Sequence, residues 1–166
     1  MKCVKFAAAI ALCLGMGQAF AQTCGSPTTL TAAGVSGVDG CAPSSTVSVV
    51  CSFINNPSPD TIFSFTVAAG FTATQISLTT TTGTYTPQMI LQQTCGSTDE
   101  CLTTANAAAA GGSATLLFSA SNPAVTAGTY FLIVNGSSQA SATDCGTFSL
   151  AVNGTLPVQL QKFSVD

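Results

Sequence analysis

Chemistry in this chain could come from six acids, Asp39, Asp60, Asp99, Glu100, Asp144 and Asp166, and from its cysteines. The other usual reagents are missing: the 166 residues include no His and no Trp, and Lys2, Lys5 and Lys162 are the only cations. A Ser-His-Asp triad needs an imidazole to take the serine proton, so that mechanism is excluded. A cysteine nucleophile lacks its activating base for the same reason. A Ser-Lys dyad would depend on Lys162, four residues from the end of the chain. Glycoside cleavage needs two carboxyl groups about 5–10 Å apart across a cleft. Asp99 and Glu100 are adjacent and point apart, while Asp60 and Asp144 each precede a strand and read as turn formers. The composition therefore predicts a protein that is not an enzyme.

Two binding chemistries remain. Calcium takes several oxygen ligands. Asp99 and Glu100 with nearby carbonyls could supply them, as could Asp60 or Asp144, although no Asp-x-Asp-x-Asp loop is present. No other cofactor is expected. Sugar binding usually rests on exposed aromatic faces, and Tyr85 in Thr84-Tyr-Thr-Pro87 is the one candidate contact. Its competing reading is a tyrosine packed at a strand start with its hydroxyl bonded. Nucleic acid and anionic membrane surfaces are excluded, because too few cations exist to neutralise phosphates.

The N-terminus reads as a secretory signal peptide over residues 1–21. Met1-Lys2-Cys3-Val4-Lys5 is basic, Phe6 to Phe20 is apolar, and Ala19-Phe20-Ala21 is a small-x-small cleavage site. The apolar run is too short, and too broken by Gly15, Gly17 and Gln18, to span a membrane. Cleavage after Ala21 would leave one lysine against six acids and place the mature chain in the periplasm or outside the cell. Six cysteines would remain: Cys24, Cys41, Cys51, Cys95, Cys101 and Cys145. An even number in an exported chain implies a disulfide framework. The short spacing predicts Cys95–Cys101. Strand adjacency suggests Cys51–Cys145, which leaves Cys24–Cys41.

These residues must be positioned by strands. Thr61-Ile-Phe-Ser-Phe-Thr-Val67 alternates with a period of two, as a half-buried strand should. Thr46 to Cys51, Phe71 to Thr80, Pro87 to Gln92 and Ala114 to Phe118 follow the same rule. Thr129 to Val134 is apolar on both faces and is expected at the centre of a sheet covered on both sides. Asn135-Gly136 reads as the turn that ends it. Phe148, Leu150 and Val152 form the inward face of the last main strand. Residues 22–44 read as a cysteine-tethered irregular segment, 106–112 as a loop, and 155–166 as a C-terminal strand or tail. About seven short strands at roughly 10-residue spacing predict an all-β fold, an antiparallel β-sandwich stapled by disulfides, over residues 45–154.

The order of these strands resembles the bacterial pre-peptidase C-terminal domain family. The resemblance rests on Asp60-Thr-Ile-Phe-Ser-Phe-Thr-Val67, Thr74-Gln-Ile-Ser-Leu78, Gln88-Met-Ile-Leu91, Ala127-Gly-Thr-Tyr-Phe-Leu-Ile-Val134 and Cys145-Gly-Thr-Phe-Ser-Leu-Ala-Val152. Cys95-Gly96 and Glu100-Cys101 look like a cysteine-containing secreted subgroup. The resemblance implies a jelly-roll-like sandwich without catalysis of its own, beside a secreted peptidase or other hydrolase. Some members bind calcium or an insoluble polymer. Three roles follow as expectations: a binding or structural module accessory to a secreted hydrolase, a carbohydrate-binding module, or a partner or inhibitor of a secreted peptidase. The partner would be an extracellular polymer or a secreted protein.

Overall fold

A computed structural model describes residues 23–43, 49–50, 54–137, 142–154 and 156. The signal-peptide segment, Cys51 and nearly all of the tail lie outside the described residues. The strands are β1 (Thr28–Thr29), β2 (Val35–Asp39), β3 (Val49–Val50), β4 (Ile54–Asn55), β5 (Thr61–Val67), β6 (Ala73–Thr80), β7 (Pro87–Gln92), β8 (Thr103–Asn106), β9 (Ala114–Ser119), β10 (Gly128–Gly136) and β11 (Thr147–Gly154). Among the described residues there is no helix.

Two sheets face each other as a sandwich, ordered β1-β5-β10-β7-β8 and β2-β11-β6-β9. The pairings in them are antiparallel except β1 on β5. Alternation explains the core directly. Phe63, Phe65 and Val67 of β5, Tyr130, Leu132 and Val134 of β10, and Met89 and Leu91 of β7 point inward from the first sheet. Ile76 and Leu78, Leu116 and Phe118, and Phe148 and Leu150 meet them from the second. Phe65 lies 5.6 Å from Phe118 and 6.1 Å from Tyr130, within the range of favourable aromatic pairs.

The central strand β10 is buried on both faces, as its double apolar pattern predicts. Ile133 packs with Ile62 and Ile90 in a second small core on the outer face of the first sheet. Cys24, Cys95, Cys101 and Phe131 lie against it.

Several expectations need correction. Residues 22–44 are not merely irregular: they supply β1 to one sheet and β2 to the other. Asn135-Gly136 is not a turn but the end of β10, paired with Gln88 and Pro87. Gly136 is required there for close approach, since a Cβ would stand 2.4 Å from the Asp144 carbonyl oxygen and 2.6 Å from Ser58 Oγ.

The cysteine pairings are also different. Cys41 is bonded to Cys145 and Cys24 to Cys95, which replaces the expected Cys95–Cys101, Cys51–Cys145 and Cys24–Cys41. The reason is register. Asp39 opposes Thr147 in the β2–β11 ladder, and Gly40 N–H donates to the Gly146 carbonyl at 3.1 Å. Two residues further, Cys41 stands opposite Cys145 with Cα atoms 5.1 Å apart, inside the bridging range. Cys101 belongs to the approach to β8, because Leu102 N–H donates to the Leu91 carbonyl, so Cys95 on the intervening loop is left to meet Cys24. Cys101 is itself disulfide-bonded, to a sulfur outside the described residues.

Candidate functional site

The acidic candidates separate into two groups at opposite ends of β7. Gln88 near its start faces the Asp60 and Asp144 region, and Gln92 at its end holds the Asp99–Glu100 loop. Four steps along the strand, roughly 13 Å, separate them. The four acids therefore form no common cluster, and among the described residues no three His, Cys, Asp or Glu side chains are placed to share a metal ion.

The first group is built on the outer face of the first sheet. Asp60 precedes β5 and is 0 % exposed. Its carboxylate accepts Asn135 Nδ2–H at 3.1 Å. The Asn135 carbonyl accepts the Tyr85 hydroxyl at 3.0 Å. Beside it, Asn56 Nδ2 donates to the Gly136 carbonyl at 2.6 Å, and Asn56 Oδ1 accepts the Ser58 N–H at 2.9 Å. An asparagine that folds back on the backbone two residues later shapes the turn leading to Asp60. Asp144 ties the other side, accepting the Thr86 N–H at 3.0 Å and the Ser137 N–H at 3.2 Å. Burial and, in smaller measure, the nearby Asp144 and Asp60 carboxylates push the Tyr85 hydroxyl well above the ordinary phenol range.

Tyr85 is thus not a ligand platform. It is 1 % exposed and belongs to the core, with its hydroxyl spent on Asn135. The residues that sequence reasoning passed over are Asn56, Gln88 and Asn135, each buried and polar. For Gln88 and Asn135 the available signal was a polar residue inside an otherwise apolar strand, whereas Asn56 lies just past β4 in a turn-rich stretch. Asn135 Oδ1 and Gln88 Oε1 are buried acceptors without a donor. They belong to residues directly opposite each other on β10 and β7.

The second group closes the loop after β7. Glu100 accepts the Gln93 N–H at 2.5 Å through one oxygen and the Thr94 N–H at 3.0 Å through the other. Gln92 Nε2 donates to the carbonyls of Ser97 and Glu100, and Gln92 Oε1 accepts the Gly96 N–H. Asp99, by contrast, faces solvent and accepts the Thr98 hydroxyl at 3.3 Å. Calcium needs some six to eight oxygens. The carboxylates of Asp60, Asp144 and Glu100 each accept N–H donors, and no three acidic side chains among the described residues converge on one point.

No family model and no curated protein matches the chain. Solved structures similar to the chain include the pre-peptidase C-terminal domain of a collagenase from Bacillus anthracis. The similarity covers 57 % of this chain and 76 % of that one, at 18 % identity and a TM-score of 0.41.

Proposed function

We propose that this protein is a secreted, non-catalytic β-sandwich module with a binding or structural role outside the cytoplasm, accessory to a secreted hydrolase. One observation carries this reading: the side chains that could do chemistry are consumed by the scaffold. Asp60, Asp144 and Glu100 hold hydrogen bonds that define turns and strand ends. Cys24, Cys41, Cys95, Cys101 and Cys145 are oxidised, as suits an oxidising compartment. The motif resemblance to pre-peptidase C-terminal domains supports the accessory role.

The carbohydrate-binding alternative loses its candidate contact with the burial of Tyr85. Co-purification from the native secretome tests the proposal: a secreted hydrolase should accompany the protein. Recovery without any hydrolase, combined with retention on an insoluble polysaccharide, would replace the accessory role with the carbohydrate-binding one. Inhibition of a co-purified peptidase in a substrate assay would mark the third role.

A further inference from the structure

Strands β10 and β11 both end in an Asn-Gly step, Asn135-Gly136 and Asn153-Gly154. Such a step holds a latent reaction. The glycine backbone nitrogen attacks the carbonyl carbon of the preceding side chain, because glycine has no Cβ in the way and the freest backbone for the approach. An N–Cγ bond forms and closes a five-membered succinimide. The Cγ–Nδ2 bond breaks and ammonia leaves. Water then opens the ring at either carbonyl, giving aspartate or isoaspartate. No oxidant and no enzyme is required, so the fold decides which step reacts.

At Asn135-Gly136 the parts are locked and dry. The Asn135 side chain is buried and donates to Asp60, its carbonyl accepts the Tyr85 hydroxyl, and the Gly136 carbonyl accepts Asn56 Nδ2–H. At Asn153-Gly154 both residues are exposed. The Asn153 side chain has no hydrogen-bond partner among the described residues. Register also frees the nucleophile. Thr81 N–H donates to the Thr147 carbonyl, so Thr147, Ser149, Ala151 and Asn153 turn their backbone groups toward β6. Alternation turns Gly154 N–H the other way, toward the β2 side, where pairing stops at Leu150 with Val35. The fold cannot exchange this glycine, because a Cβ at Gly154 would stand 2.5 Å from the Ala73 carbonyl oxygen.

We infer that Asn153 is a site of spontaneous deamidation in the folded protein, with water as the co-reactant, and that Asn135 is protected by its burial. The product places a carboxylate opposite Gln75 at the end of the β11–β6 ladder and adds one negative charge to a chain already at −3. In the isoaspartate form the main chain runs through the former side chain. The carbonyl that Asn153 presents to the Gln75 N–H then shifts, and the ladder frays at that end.

Peptide mapping by mass spectrometry tests this on the folded protein held in mildly alkaline buffer, beside the same protein held in denaturant. In denaturant both asparagines should convert, which calibrates the chemistry. In the folded protein Asn153 should convert alone, with a single acidic step on isoelectric focusing. The Gln75 amide should lose exchange protection in the isoaspartate fraction. Asn153→Gln should abolish the acidic step and leave the melting temperature unchanged. An Asn153 that stays intact in the folded protein while it converts in denaturant would overturn the inference. So would an Asn135 that converts as fast as Asn153 in the folded protein, or an acidic step that survives Asn153→Gln.

Discussion

Asn135 donates its side-chain amide to the Asp60 carboxylate at 3.1 Å, across 75 positions of sequence and with both residues buried. The bond joins the end of β10 to the residue that launches β5. A carboxylate in such a place looks catalytic in a list of acids, yet here it anchors two strand ends. Asp60→Ala strands a buried donor and should cost about 1–3 kcal/mol, read from the midpoint of chemical denaturation. An unchanged midpoint would remove the anchoring role.

Tyr85 sets a pH dependence. Its hydroxyl is held protonated in the fold above the ordinary phenol value, first by burial and then by Asp144 and Asp60. The unfolded chain releases this proton near pH 10 and the folded chain does not, so the unfolded state binds fewer protons above that pH. Stability from this group is therefore flat below pH 10 and falls above it by about 1.4 kcal/mol per pH unit. Tyr85→Phe should lose about 0.5–1.5 kcal/mol at neutral pH and flatten the alkaline slope. Equal slopes in both proteins would contradict this account.

Glycine substitutions should separate by position. Gly136→Ala drives a methyl into the Asp144 backbone and Ser58 and should cost about 1–3 kcal/mol. Gly83→Ala meets open space and should be neutral or gain about 0.4–1 kcal/mol. Thermal melts of the two variants check the contrast.

The bridges close long stretches of chain, 71 residues for Cys24–Cys95 and 104 for Cys41–Cys145. Replacing Cys41 and Cys145 together by Ser should cost about 2–4 kcal/mol, mainly through a freer unfolded chain. Mass mapping of a non-reduced digest should return linked Cys41–Cys145 and Cys24–Cys95 peptides. A Cys95–Cys101 peptide would contradict the register argument.

Glu100→Ala should release the Gln93 and Thr94 amides to fast exchange while leaving the β7 ladder protected. Added calcium should not raise the melting temperature, because the carboxylates it would need are already bonded to N–H groups. A calcium-dependent shift abolished by Asp60→Ala would locate a site at Asp60 after all.

Alternation made the principal strands legible, since Phe63, Phe65 and Val67, or Ile76 and Leu78, declare one face by their spacing. Strand β2 was not legible. Val35-Ser-Gly-Val-Asp39 is short, largely exposed and bulged against β11, so its two valines do not keep a period of two. Missing β2 concealed the pairing of Cys41 with Cys145. Tyr85 and Asn135-Gly136 misled for a related reason. Local sequence reports turn preference and amphipathic character, while their roles come from neighbours about 50 residues away or more, Asn135 for Tyr85 and Asn56 for Gly136.

The two bridges overlap along the chain, one running from Cys24 to Cys95 and the other from Cys41 to Cys145. Any single backbone cut between Cys24 and Cys145 falls inside at least one covalent loop. A nick in the turn at Ser121-Asn122-Pro123, or in the alanine-rich stretch after Asn106, leaves its two fragments joined and their strands still interleaved. Such a molecule stays in one covalent piece after a first backbone cut.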